Sequence, residues 1–200
     1  MPQMTLICGP NGAGKSTFSE KSGIKEDMPV LDPDHIAKSE GLSPLDAGKA
    51  TANRARQFLA EGKSFAKEST LSSNLDFTLM KLAQKKGYEV ELVYLGLDKP
   101  EDSAERVKTR ATLGGHSVPE GDIKRRYKRS MENLESALAN ATRARVFDNS
   151  DTKARLVATI ERGQVKALDQ QPPDWLTKAV PALEKEGMNA TLQKSRSMER

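Results

Sequence analysis

The sequence predicts an α/β fold, a parallel sheet with crossover helices, and three observations predict it. Residues 9 to 16 read Gly-Pro-Asn-Gly-Ala-Gly-Lys-Ser. They match the phosphate-binding pattern G-x-x-x-x-G-K-[ST] and lie between a strand-like run and a helix-like one. Downstream, short apolar runs alternate with longer helical patterns, as strands joined through crossover helices do. The 200 residues are 36% hydrophobic and 30% charged, which suits one buried sheet under amphipathic, well-solvated helices.

The first strand is expected at Met4–Cys8, followed by the glycine loop and a helix from Ser16. A second strand, Pro29–Asp32, ends in Asp32-Pro33-Asp34, and a helix starting near Pro33 carries His35, Ile36 and Ala37. A long helix runs from Pro44 to Glu61 with Leu45, Ala52, Ala55 and Leu59 as core positions and Gly62 as its cap. Ser64–Glu68 is the third strand. Asn74 is expected to cap a helix reaching Lys86, with Gly87 closing it. Glu89–Leu97 is the clearest strand, being almost continuously apolar after its first residues.

A helix from Pro100 to about Ala111 leads into the irregular segment Leu113–Pro119, then a helix from Glu120 to about Thr142 and a fifth strand at Ala144–Asp148. Residues 156–160 and 164–168 flank Arg162-Gly163 and read as an antiparallel hairpin, with a helix over the same stretch as the competing reading. Pro172-Pro173 precedes a short helix carrying Trp175, Leu176 and Val180. The expected organisation is a core over 1–150, a hairpin-and-helix extension over 151–186 packed on it, and a flexible tail over 187–200.

The loop carries the functional expectation. Gly9, Gly12 and Gly14 let backbone N–H groups turn inward around a triphosphate, and the new helix points its positive end at the same phosphates. Pro10, Asn11 and Ala13 complete the cradle, and Thr17 follows in the helix. Lys15 supplies a mobile charge for the outer phosphates, and the Ser16 hydroxyl can ligate Mg²⁺. ATP is the expected nucleotide.

Composition narrows the rest. A net charge of +4 is too small to argue for nucleic acid. With 4% aromatics, none interleaved among the basic residues, a stacking platform for single strands has little support. The one cysteine, Cys8, excludes an internal disulfide and a multi-cysteine metal site and reads as a small buried hydrophobe. The first strand begins too early to leave room for a signal peptide, and no apolar run approaches membrane-spanning length, so a cytosolic chain is expected.

Phosphoryl transfer needs a phosphate cradle, a metal, cations for the moving charge and a group that orients the acceptor. Strand ends in an open parallel sheet face the ligand crevice. A carboxylate there, Asp34 first and Asp32 second, can accept the proton of an acceptor hydroxyl. Either could instead serve a water-mediated metal role, and Asp32 is well placed to cap the next helix. Glu68, Ser69 and Thr70 end the third strand, where they hold substrate groups or form an ordinary polar loop. Residues 104–129 carry eight Lys or Arg against three acids around Gly114-Gly115-His116. They read as a lid closing over ATP, with Arg110 and Arg126 as its phosphate-facing cations. For most of these charges a solvated helix face is the alternative.

Taken in order, Gly9–Thr17, Asp32-Pro33-Asp34, Glu68-Ser69-Thr70-Leu71, Lys86–Leu92, Gly114–Pro119 and Arg125-Arg126-Tyr127 resemble the zeta toxin family over residues 4 to 150. The resemblance implies a P-loop kinase fold, three-layer α/β/α, with five parallel strands in the order 2-3-1-4-5. It also implies phosphorylation of an amino-sugar hydroxyl of UDP-N-acetylglucosamine. In that likeness Lys15 is the loop lysine, Asp34 the proton-accepting aspartate, Glu68 a substrate-binding acid with Thr70 beside it, and Arg110 and Arg126 the ATP-clamping arginines. The glycine-histidine segment differs from plasmid-borne zeta toxins, which bears on the substrate. No antitoxin segment is visible, so a neutralising partner would be a separate protein. Two other functions stay open: a non-catalytic ATP-dependent switch or partner-binding module, and a nucleic-acid end kinase.

Overall fold

The computed structural model describes residues 1–113 and 118–183. Within them the chain runs β1 (Gln3–Cys8), α1 (Lys15–Lys21), α2 (Ile24–Asp27), β2 (Val30–Leu31), α3 (Pro33–Glu40), α4 (Pro44–Glu61), β3 (Phe65–Ser69) and α5 (Asn74–Lys85). It continues as β4 (Glu89–Gly96), α6 (Pro100–Thr112), α7 (Glu120–Ala139), β5 (Arg143–Asp148), β6 (Arg155–Glu161), β7 (Gln164–Leu168) and α8 (Asp174–Ala179).

The sheet order is β2-β3-β1-β4-β5-β6-β7. The first five strands are parallel and follow the expected 2-3-1-4-5 order. The sheet has seven strands rather than five, because β6 pairs antiparallel with β5 and β7 with β6. The hairpin reading holds over the helical one. Arg162 and Gly163 both adopt positive φ, 49° and 75°, as a two-residue turn matched to strand twist requires.

Period-two alternation sorts each central strand onto two faces. Met4, Leu6, Cys8, Val90, Leu92 and Tyr94 join one core with residues of α4, α5, α7 and α8. Ile7, Val93, Leu95 and Leu97 join a smaller one with Phe18 of α1, Ile24 of α2 and Tyr127 of α7. Burial drives the Cys8 thiol and the Tyr94 phenol well above their ordinary ionisation ranges.

Two local expectations are corrected. Leu45 shares a helical stripe with Ala52 and Leu59 but lies in the first turn of α4 and is 70% exposed. Ala47 and Thr51 take inward positions instead. The cap of α5 is Ser73, not Asn74, and its side chain makes no capping hydrogen bond. The expected tail, 187–200, and the centre of the glycine-histidine segment lie outside the described residues. Among the described residues, no helix is long and apolar enough to cross a membrane.

Candidate active site

Parallel registry brings the strand ends level. Cys8 lies beside Ser69 on one side and Tyr94 on the other, so the loop leaving β1 emerges between the ends of β3 and β4. The loop glycines Gly9, Gly12 and Gly14 have φ of 145°, 74° and 84°. Gly9 is the most constrained, since a Cβ there would lie 2.1 Å from the Leu95 carbonyl oxygen. Gly9→Ala is therefore expected to cost about 3 kcal/mol or more and to remove ATP binding. Thermal unfolding and titration calorimetry with ATP check this, and near-wild-type values in both would refute it.

The Lys15 ammonium curls back and donates to the Gly9 and Pro10 carbonyls, both at 2.9 Å. Burial lowers its pKa, opposed by the nearby charges of Glu68 and Asp34. Asn11 is buried, and its Oδ1 has no partner among the described residues. Ala13 is fully buried and Thr17 is exposed.

The aspartate pair divides its roles. Asp32 caps α3, its Oδ1 accepting the Asp34 N–H at 2.9 Å. The Asp34 carboxylate takes no part in that cap. It is half exposed and lies 4.0 Å from the Arg110 guanidinium. Burial outweighs every nearby charge at Lys15; among the lesser effects the Asp34 carboxylate raises its pKa and the Arg110 guanidinium lowers it.

Glu68 is almost fully buried and joins loop to sheet. Its two oxygens accept from the Ser16 hydroxyl at 2.9 Å and the Ser19 hydroxyl at 2.7 Å. Burial raises its pKa, and the Asp32 carboxylate raises it further. Ser16 Oγ and Glu68 Oε2 thus present two hard oxygens side by side. Among the described residues no three His, Cys, Asp or Glu side chains gather as a metal cage. Mg²⁺ needs none, since it takes one or two protein oxygens and completes its shell with phosphates and water.

Ser69 and Thr70 turn to internal bonds. Ser69 donates to Asp76 at 2.7 Å and accepts the Leu71 N–H, and Thr70 shares a hydrogen bond with Ser72. Leu71 sits at φ 54°, and its carbonyl accepts from Asn133 of α7 at 2.8 Å.

The predicted cations divide too. Lys124, Arg125 and Lys128 pair with Glu120, Asp122 and Glu132 on the solvated side of α7. Arg126 is half buried. It lies on the helix face of Ser130, which bonds Tyr94, and of Asn133, which bonds Leu71. That face looks over the strand ends. Tyr127 anchors the helix by donating to the Leu97 and Asp98 carbonyls. Burial and nearby Asp98 push its phenol up to about 12. Arg110 also lines a groove of about 580 Å³ with Asp102, Glu105, Arg106, Thr109, Leu113 and Ser150.

Sequence reasoning missed the outer wall of the loop. Ser103 of α6 donates to the Asn11 carbonyl. Arg106, one turn before Arg110, donates to the Asn149 and Ser150 carbonyls at 2.8 and 2.7 Å. Asn149 donates to the Ala13 carbonyl at 2.9 Å. The available signal was Asp148-Asn149-Ser150 following a parallel strand directly, where its end must reach the crevice.

Residues 1–158 match the family model described as Zeta toxin. A Haemophilus influenzae protein described as uncharacterized is 35% identical over 127 residues, which cover 61% of this chain and 90% of that protein. Among solved structures, AvrRxo1-ORF1 in complex with AvrRxo1-ORF2 superposes with a TM-score of 0.64 at 19% identity, covering 84% of this chain. This chain spans 61% of that protein's length, less than two thirds. A structure from the PezAT chromosomal toxin–antitoxin system of Streptococcus pneumoniae superposes at 0.61 with 17% identity, covering all of this chain and 88% of that one. At these identities the superpositions show a shared fold.

Proposed function

The chain belongs to the zeta toxin family, and from that premise we propose that it transfers the γ-phosphoryl group of ATP to a hydroxyl of a UDP-sugar, UDP-N-acetylglucosamine or a related metabolite. The observation that carries the proposal is the Asp34 carboxylate. It lies outside the cap that Asp32 makes, beside Arg110 and within electrostatic reach of Lys15.

The chemistry follows from that placement. The Gly9–Thr17 loop holds the phosphates, and Lys15 exchanges its two carbonyl partners for the outer phosphate oxygens. Ser16 and Glu68 would hold Mg²⁺, which neutralises phosphate charge when bound. The acceptor hydroxyl gives its proton to Asp34 as its oxygen attacks the γ-phosphorus and the bond to the ADP oxygen breaks. Arg110 and Arg126 stabilise the charge on the moving group. On the acceptor side the Thr70 hydroxyl would exchange its Ser72 partner for the substrate, while Glu68, Asp32 and Ser69, bonded within the protein, would shape that side from behind. On the same premise, a neutralising antitoxin would be a separate chain.

The test is incubation with γ-labelled ATP, once with pure UDP-N-acetylglucosamine and once with a bacterial metabolite extract. Label is expected on the sugar nucleotide. Label on another small molecule would replace the acceptor and keep the kinase. Label on oligonucleotide ends would turn the reading to the nucleic-acid kinase. ATP binding without transfer to any acceptor would leave the non-catalytic switch.

A further inference from the structure

Trp175 lies beyond the family match, which ends at residue 158, yet it contacts the ends of β4 and β5, each one residue from a group that meets the nucleotide loop. It is the only tryptophan of the chain and is 4% exposed on α8. Its indole N–H donates to Asp148 Oδ1 at 3.1 Å. The same oxygen accepts from the Ser150 amide at 3.2 Å and the Ser150 hydroxyl at 2.6 Å. That bonding fixes the turn after β5. The turn presents the Asn149 side chain to the Ala13 carbonyl and its own carbonyls to Arg106. Asn149 is pressed so closely on the loop that a Cβ at Gly14 would lie 2.7 Å from its Nδ2.

The second route runs through packing. The indole ring lies flat against Gly96, where a Cβ would approach ring carbons to 2.2 Å. It also packs at 6.0 Å between ring centres on Tyr94. Gly96 follows Leu95, whose carbonyl is the close neighbour of Gly9. Trp175 therefore reaches the start of the loop through β4 and its end through Asp148 and Asn149.

We propose that Trp175 is a positioning residue for the nucleotide loop: through Asp148 and Asn149, the C-terminal helix braces the loop in its phosphate-binding shape. The proposal rests on the ATP reading above. A loop held in its bound shape loses less conformational freedom on binding, so the brace appears as nucleotide affinity rather than as the rate of the chemical step.

The test uses the full chain and ATP itself as probe, by titration calorimetry, with Trp175→Phe, Asn149→Ala and the double variant. Trp175→Phe keeps a ring on Gly96 and removes the indole donor. Asn149→Ala sits in a half-buried turn and removes only the donor to the loop. Each single variant is expected to weaken ATP binding about fivefold. Because both act along one path, the double variant is expected to bind no more than about twofold more weakly than the weaker single. Wild-type affinity in Asn149→Ala, or fully multiplicative losses in the double, would overturn the brace. If Trp175→Phe does not fold, Asn149→Ala decides the matter alone, by a fivefold loss or by none. A wild-type chain that binds no ATP would refute the nucleotide reading instead, so the two failures are distinct.

Discussion

Asp34→Asn is expected to lower phosphoryl transfer by about 10²–10⁴-fold, the range for loss of a general base, while ATP affinity stays within about twofold of wild type. The amide keeps the size and shape of the carboxylate but cannot take a proton from an alcohol at neutral pH. Because the side chain is half exposed and outside the α3 cap, the substitution leaves folding intact. Transfer of label from γ-labelled ATP and calorimetric ATP binding measure the two effects separately. Asp32→Ala is the internal contrast. It removes the cap bond to the Asp34 amide, costs about 1 kcal/mol of stability, and lowers transfer less because the base itself remains. Transfer by Asp34→Asn within tenfold of wild type would remove the proton-accepting role. So would a greater loss in Asp32→Ala.

The pair also shows where sequence reading stops. Two aspartates at a strand end, separated by one proline, are chemically alike on paper. Only the three-dimensional turn decides that Asp32 bends back onto the Asp34 amide while the Asp34 carboxylate stays half exposed beside Arg110. The loop itself was legible because its requirement is local: glycines at positive φ, then a lysine and a hydroxyl at the start of a helix. The five parallel strands were legible for the same reason, each being a short apolar run between helical patterns. Strand order came from family likeness, not periodicity. That the hairpin would join the edge at β5 depends on pairing between distant segments, which no local pattern records. Leu45 shows the converse error: it obeys the helical stripe but lies at its outer end, where the helix has no inward neighbour for it. The wall formed by Ser103, Arg106 and Asn149 was not foreseen because Ser103 and Asn149 are ordinary polar residues until the fold places them against the loop, and Arg106 is one of eight cations that read together as a lid.

Asp76→Ala is expected to be the most destabilising of the substitutions considered, by about 3–5 kcal/mol, because it strands a buried charge. Lys67 and Asp76 form an ion pair at 2.8 Å with side chains only 5% and 1% exposed. The other Asp76 oxygen accepts from Ser69 at 2.7 Å. Removing the carboxylate leaves the Lys67 ammonium without its counter-ion in the core and Ser69 without its acceptor. For a chain of this size the loss corresponds to a fall in melting temperature of about 10 °C. The double variant Lys67→Met/Asp76→Leu removes both charges and fills the space with apolar groups, so it is expected to regain most of that stability. It does not restore the Ser69 bond, and Ser69 supports the Leu71 turn directly after Glu68. Recovered stability should therefore come with a persistent defect in acceptor KM while the KM for ATP is unchanged. Differential scanning calorimetry and labelled-ATP kinetics measure these effects. A melting temperature within about 2 °C of wild type in Asp76→Ala, or a double variant no more stable than the single, would show that the pair is not the buried charge couple described. A double variant with wild-type kinetics would show that it holds up the sheet without shaping the site.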